Sequence, residues 1–560
     1  MQGTAKPINK PGKWWHSATG YQIYPRSFCD SNGDGIGDIP GITLKLEHLQ
    51  DLGIGFIWLS PVYASPMADN GYDIADYRAI APEFGTLDDF DTLVREAKSR
   101  GIGIVMDLVV NHSSDQHVWF KAACADPADL FHNYYIWRDP GPDGGPPSDQ
   151  KASFGGSAWH FVPELGKYYL GFFSAQQPDL NWQNPAMRSE IYDMMNWWLD
   201  RGIAGFRMDV ISLIGKDVDA GIYEEGPHLH AFLQEMHRET LAGRDVVTVG
   251  ESWAVSRDTA LLYCGQDRAE LDMVFQFQHI LEGHDPVHGK WKPRPFDLVA
   301  FKRVLSDWQV ALADDGWNSL FLSNHDLPRQ VSKYGDDGEY RVASAKMLAT
   351  ITHLMKGTPF VYQGEEIGMT NMRFTSIDQF RDIEILGNYP DAMANAVTPK
   401  DFIAGANENG RDNARTPMQW SADKQAGFTS GTPWIDVNPN HTEINVEADR
   451  ADPQGIFAYY RRLIALRKTM PLVVHGQYRP FAIEHASVCA FSREHDDDRL
   501  CVVANFTGEP VAFDLPKGLS ITGDCLIFNY APRNELSGRL QLQPYEVLVV
   551  LHETSRDADG

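Results

Sequence analysis

The stretch RGIAGFRMDV (201–210) ends on the sharpest chemistry in the chain, Arg207, Met208 and Asp209. Gly202 marks a helix-to-strand turn, and Ile203 to Phe206 form an apolar strand. Arg207 and Asp209 are two apart, so an extended backbone sends both side chains to one face. Charges at the exit of a buried strand are costly unless each has a partner. A structural ion pair would satisfy that requirement. Other strand ends tip the balance. Asp107 is followed by Asn111 and His112, Glu251 by Ser252 and Trp253, and Asn324-His325-Asp326 ends a later strand. If Asp209, Glu251 and Asp326 share one rim with two histidines and an arginine, structure alone does not require the set.

These residues need a frame that brings distant strand ends together. Strand candidates are Tyr21–Tyr24, Gly55–Leu59, Ile102–Asp107, Ile203–Met208, Val246–Gly250, Met273–Phe277, Ser319–Leu322 and Pro359–Tyr362. They are nearly unbroken apolar runs alternating with amphipathic helices. That pattern predicts an α/β fold, a closed parallel (β/α)8 barrel with its chemistry at the carboxyl ends of the strands. Residues 108–177 are too long for a βα loop and contain the run Pro140 to Pro147, so they predict an inserted subdomain. The barrel is expected over 1–107 and 178–471, with a second insertion at about 364–434 after strand eight. A helix around Ile456 to Lys468 should close it. From 472 to 560 the period changes to two, which predicts an antiparallel β-sandwich.

Composition bounds the ligand. The 560 residues are 43% hydrophobic and 22% charged, as in an ordinary globular chain with a large core. The net charge of −27 argues against nucleic acid, anionic membranes and phosphorylated substrates, and fits a small neutral ligand. Fifteen Trp and 21 Tyr suit flat sugar faces, although most must be core. Cys29, Cys124, Cys264, Cys489, Cys501 and Cys525 show no CxxC spacing, so free thiols are expected. The N-terminus has no apolar signal region, and no run of about 18 apolar residues occurs. A cytoplasmic monomer is expected. Periplasmic or secreted placement stays open if a signal peptide was removed.

In the first loop, Asp30, Asn32, Asp34, Ile36 (through its carbonyl) and Asp38 place oxygen donors at every second position, with glycines between. This spacing predicts a structural Ca2+ or Mg2+ site, with no organic cofactor. A solvated turn is the alternative, because Gly41 stands where a closing bidentate Glu would be.

The motifs YQIYPRSF, DSNGDGIGD, DLVVNH, QPDLN, GFRMDV, GES, SNHD and RDNARTPMQW run along almost the whole chain. Together they resemble glycoside hydrolase family 13, the α-amylase family, and within it the oligo-1,6-glucosidase and dextran-glucosidase group. The resemblance implies Asp209 as nucleophile, Glu251 as acid/base and Asp326 as a substrate-distorting carboxylate. It implies that Arg207, His112 and His325 frame a glucose whose non-reducing end is capped by Asp73 and Arg415, with Tyr72, Phe173 and Gln177 as further contacts. Val210 and Trp253 would face the departing sugar, and Val at 210 goes with α-1,6 preference in this group. The implied activity is a retaining exo-α-glucosidase on isomaltose and isomalto-oligosaccharides, with transglycosylation in reach. Alternatives are an α-1,4-preferring α-glucosidase or a sucrose isomerase. Family isomerases carry an RLDRD-like segment after strand six, where this chain reads QFQHILEGHD (276–285). A non-enzymatic, membrane-anchored relative would have lost the carboxylates, and this chain keeps them.

Overall fold

A computed structural model describes residues 12–286, 289–517 and 519–552. Eight parallel strands form the central sheet: β1 (Gly20–Ile23), β2 (Phe56–Leu59), β3 (Gly103–Leu108), β4 (Gly205–Met208), β5 (Val247–Glu251), β6 (Met273–Phe275), β7 (Ser319–Leu320) and β8 (Thr358–Tyr362). Their hydrogen-bonded order is β6-β5-β4-β3-β2-β1-β8-β7. The circle closes between β6 and β7, where the Ser319 hydroxyl donates to Val274 O at 2.8 Å. The fold is a TIM barrel. Every predicted strand is present, but β7 is two residues shorter than its apolar run, because Phe321 and Leu322 already belong to the loop.

Local chemistry sets β4 in place. The helix Pro185–Asp200 starts on Asn184, whose side chain accepts from Ala186 N and Met187 N, and Pro185 fits the first turn. Met187, Ile191, Met195 and Trp198 bury one face of it. Gly202 (φ +92°) then turns the chain into the strand. Gly205 is required as glycine. Its φ is +145°, and a Cβ there would lie 1.8 Å from Val247 O on β5. Close approach of β4 to β5 follows, and the two carboxylate-bearing strand ends become neighbours.

Between β3 and β4 the chain forms a three-stranded antiparallel sheet, Trp137–Arg138, Trp159–Val162 and Lys167–Leu170. Ile136, Trp159, Tyr168 and Leu170 give it a small core of its own. After β8 a second rim segment packs Phe374, Phe380, Ile385 and Phe402 together. The C-terminal strands Gln477–Phe481, Val488–His495, Asp498–Asn505, Asp524–Phe528 and Val547–His552 make one antiparallel sheet. Its inner face, with Phe491, Val502 and Val549, continues the barrel core, and its outer face buries Val503, Leu548 and Val550 in a separate cluster. All six cysteines are free. No helix among the described residues is long and apolar enough to cross a membrane.

Candidate active site

Arg207 is the hub. Adjacent strands pair it in register with Asp107, and its Nη1 donates to Asp107 Oδ1 at 2.8 Å and Oδ2 at 3.0 Å. The same nitrogen reaches Asp209 Oδ1 at 2.8 Å, and Nη2 donates to Glu251 Oε2. The guanidinium also lies 4.9 Å from the Trp58 ring centre. Asp107 takes further donors from Trp58 Nε1 and the Tyr72 hydroxyl, each at 3.0 Å. Burial pushes Asp107 up to about 6 even so, against the pull of Arg207. Burial likewise raises Asp209 well above the usual carboxylate range, with Glu251 and Asp107 adding to the effect and Arg207 opposing it. One guanidinium thus faces more negative charge than it can neutralise. Arg207 by itself therefore does not hold Asp209 in the usual carboxylate range.

Glu251, at the end of β5, accepts from Val210 N (3.0 Å) and Trp253 Nε1 (3.1 Å). Val210 has φ 37° and ψ 43°. A β-branched residue rarely adopts that left-handed conformation, and it is what turns the amide toward Glu251. Asp326 is the most open of the three carboxylates, with 20% of its side chain exposed against 9% for Asp209 and 3% for Glu251. His325 Nε2 lies 3.2 Å from Asp326 Oδ2, Arg415 donates to Oδ1 at 2.9 Å and Arg411 at 3.2 Å. Burial works against ionisation here, but His325, Arg411 and Arg415 outweigh it and hold Asp326 below the carboxylate range. Gln22 Nε2 donates to His325 Nδ1 at 2.8 Å, leaving Nε2–H to point at Asp326. Burial lowers His325 to about 3 and His112 to about 4, so both are neutral near pH 7.

His112 is fixed from behind. Lys216 Nζ donates to Asn111 Oδ1 (2.6 Å) and pairs with Asp179 (2.9 Å), which turns the Asn111 amide nitrogen to His112 Nδ1 (3.2 Å). Nε2 of His112 then donates to Tyr72 O at 3.0 Å. Tyr72 stacks on His325 with ring centres 5.1 Å apart and planes 7° off parallel, and half-buried Phe173 sits 5.2 Å from the His112 ring. Gln177 joins this wall, donating to Asp69 Oδ2 at 3.1 Å.

Two expected contacts are corrected. Asp73 does not face the site. Its carboxylate is fully buried and taken up by Ser65 Oγ, Ala68 N and Asp69 N at 3.0, 2.9 and 3.0 Å. Arg415 is not its partner; it lies behind Asp326, with Nε on His325 O at 3.1 Å. Asp69 stands in the expected place instead, paired with Arg411 at 3.2 Å. Both acids lie in the ADNGYD turn, and spacing alone does not say which one the turn aims inward. Asp382, which binds the Arg411 guanidinium at 3.0 Å, was also missed because it lies far off in the second rim segment.

The Asp30–Asp38 loop is folded by its own amides. Asp30 accepts from Asn32 N, Gly33 N and Gly35 N, Asn32 from Asp34 N, and Asp34 from Ile36 N. Asp38 caps the next helix through Gly41 N at 2.6 Å. Among the described residues no three His, Cys, Asp or Glu side chains converge as metal ligands. The donor set is all oxygen, and an oxygen that accepts one amide keeps a second lone pair, so its chemistry suits a hard cation.

The buried carboxylates ringed around one guanidinium stand at the carboxyl rim of a closed barrel, where such folds carry their chemistry. Residues 22–476 match the alpha-amylase catalytic domain and 488–549 the C-terminal domain of the alpha-amylase SusG, so the chain belongs to the α-amylase family. It is 54% identical over 543 residues to a palatinase of Erwinia rhapontici, covering 96% of this chain and 98% of that one. An oligo-1,6-glucosidase of Halalkalibacterium halodurans is 49% identical over 556 residues (96% and 99%). The crystal structure of isomaltulose synthase from Klebsiella sp. LX3 superposes with a TM-score of 0.93 at 41% identity, covering 96% of this chain and 99% of that one.

Proposed function

We propose that the chain is a retaining exo-α-glucosidase that cleaves α-1,6 bonds at the non-reducing end of isomaltose, isomaltulose and short isomalto-oligosaccharides. The carrying observation is the closed far wall of the site. Arg411 is held by Asp69, Asp382 and the Phe154 ring (4.8 Å), and the two rim segments touch where Gly387 meets Phe154 O. A wall there would stop the substrate on its non-reducing side, which fits exo action. The names of the relatives, palatinase and oligo-1,6-glucosidase, support the α-1,6 choice.

In this reading Asp209 attacks C1 in its carboxylate form while Glu251 protonates the departing oxygen. The C1–O bond breaks and a glucosyl ester on Asp209 forms. Glu251, now a carboxylate, takes a proton from water as that water displaces Asp209 from C1. Asp326, anionic and oriented by Arg415 and His325, binds the ring hydroxyls most strongly as the ring flattens. Transfer of the glucosyl group to a sugar in place of water gives transglycosylation.

The test is product analysis on isomaltose, isomaltulose, maltose, panose, dextran and sucrose, with NMR of the first anomer released. Glucose from isomaltose faster than from maltose, released as the α-anomer, is expected. β-Glucose first would end the retaining mechanism. A second reading, sucrose isomerisation, has support in the likeness to isomaltulose synthase. The segment after β6 weighs against it, since Gln276 and His279 are buried and bonded to each other at 3.0 Å. Isomaltulose accumulating from sucrose would reverse the choice.

A further inference from the structure

Glu251 is held by three donors, and they divide unevenly between its oxygens. Oε2 accepts from Val210 N at 3.0 Å and from the Arg207 guanidinium, neither of which can accept a proton in return. A proton on Oε2 would face both donors. Among the described residues Oε1 has only the Trp253 indole N–H, at 3.1 Å, and keeps a second lone pair. We propose that Trp253 is a positioning residue for Glu251, its N–H fixing Oε1 as the oxygen that releases and later recovers the proton. The proposal rests on the acid/base role of Glu251 stated above.

The indole is well placed for this. Trp253 lies two residues beyond Glu251, past the end of β5, and turns back onto it. Its ring stacks on Phe277 with centres 3.9 Å apart and planes 10° off parallel. Phe277 is itself buried and meets Phe321 at 5.3 Å and 67°. The aromatic stack fixes the direction of the N–H, so Oε1 cannot swing without losing it. An indole N–H only donates, so it never competes for the catalytic proton.

The interaction also changes strength at the right moment. When the Oε1–H bond breaks, its proton goes to the departing sugar oxygen, the C1–O bond breaks and the bond from C1 to Asp209 forms. Oε1 is then anionic, and a hydrogen bond to an ionised oxygen is roughly twice as strong as a neutral one. In the second half Oε1 takes a proton from water, the water oxygen bonds to C1, and the ester to Asp209 breaks. Trp253 thus favours the transition state over the bound substrate, the condition for raising kcat.

Trp253→Phe keeps a ring for the stack and removes the N–H. Its kcat/KM on isomaltose should fall about 10- to 100-fold, carried by kcat, the range expected for a hydrogen bond to a charged group. Glucosylation by a dinitrophenyl α-glucoside, whose leaving group needs no proton, should stay within about twofold. If Trp253 were only a wall for the second sugar, KM would rise and kcat would hold. Should the Phe variant fold poorly, benzothienylalanine at 253 replaces N–H by sulfur in the same shape and carries the same expectation. Isomaltose activity within about twofold of wild type, or equal losses on both substrates, overturns the proposal. Glu251→Gln separates the two ideas. If it still turns over isomaltose, the acid/base reading fails; if it does not and Trp253→Phe is silent, only the role of Trp253 fails.

Discussion

At the scale of single residues, the site is decided by which groups a buried charge can reach. Asp69 illustrates this. Burial lifts its carboxyl to about 7 against the opposing pull of Arg411 and Arg415. Its folded value is above the unfolded value of about 3.9, so its contribution to stability is fully present below about pH 4 and fades as pH rises through 7. Binding runs the other way if the Asp69 anion holds a glucose hydroxyl. Then kcat/KM should rise with pH through about 7, and Asp69→Asn should remove that limb and lose about 10- to 100-fold. A pH–rate profile of both proteins checks it, and an unchanged limb in the variant would assign the titration to another group. Val210 is a second case. Its side chain is expected to set linkage preference, but its strained backbone also delivers an amide to Glu251. Val210→Ala and Val210→Thr should narrow the isomaltose-to-maltose ratio by up to about 10–200-fold, while a nitrophenyl glucoside is cleaved as before. Equal loss on the aryl substrate would mean that the amide had moved instead. The three strand-end carboxylates, Arg207 and both histidines were legible because strand ends are short and polar against apolar strands. Asp69 was not, since a turn with acids on both sides of Asn70-Gly71 reads the same whichever acid faces in.

At the scale of elements, loops do what the barrel cannot. Lys216, on the loop after β4, pins Asn111 and Asp179 and so fixes His112 through two hydrogen bonds. Lys216→Met should leave Asp179 buried without its cation, at a cost of about 3–5 kcal/mol. The melting temperature should drop steeply, and KM should worsen with it. The Asp30–Asp38 loop is the element whose role is most open to experiment. We propose that it takes Ca2+ or Mg2+ and that the ion stabilises the fold without joining the chemistry. On that proposal chelator lowers the melting temperature and leaves the pH–rate profile unchanged; an Asp34→Ala variant with the same metal content and melting point would make the loop an ordinary turn. All eight strands could be read from sequence because each is an apolar run between turn signals. The closed barrel could be read as well, but not that the Ser319 hydroxyl on Val274 O ties β6 to β7, since a side-chain bond leaves no strand pattern. Nor could the docking of the second rim segment, where Gly405 packs against Trp291 O, a contact between residues with no pattern linking them.

For the whole molecule, the C-terminal sheet behaves as part of the barrel. Phe491, Val502 and Val549 share the barrel core, so removing the sheet would expose a broad apolar face. The seam is also polar. Lys302, on the barrel helix Leu298–Ala311, donates its ammonium to Ala482 O, His485 O and Val488 O at 2.9, 2.6 and 2.7 Å. Burial lowers its pKa, opposed by nearby Glu484 and Asp297, and three carbonyl dipoles take its hydrogen bonds. Arg493 works the same way from the other side, donating to Leu354 O at 2.7 Å and to Gly476 O. Period-two patterning shows that a sheet follows residue 472, but not that one of its faces is barrel core, because alternation looks the same against either partner. A shared core predicts one cooperative melting transition for the entire chain. Lys302→Met should remove the three bonds, leaving His485 O and Val488 O without this donor while Ala482 O keeps His485 N, and destabilise by about 1–3 kcal/mol for each group left unsatisfied. In a chain of this size that is a drop of several degrees, still in a single transition and with KM for isomaltose unchanged. Two separated transitions in either protein would show that the sheet folds apart from the barrel, and that the seam joins two units rather than one.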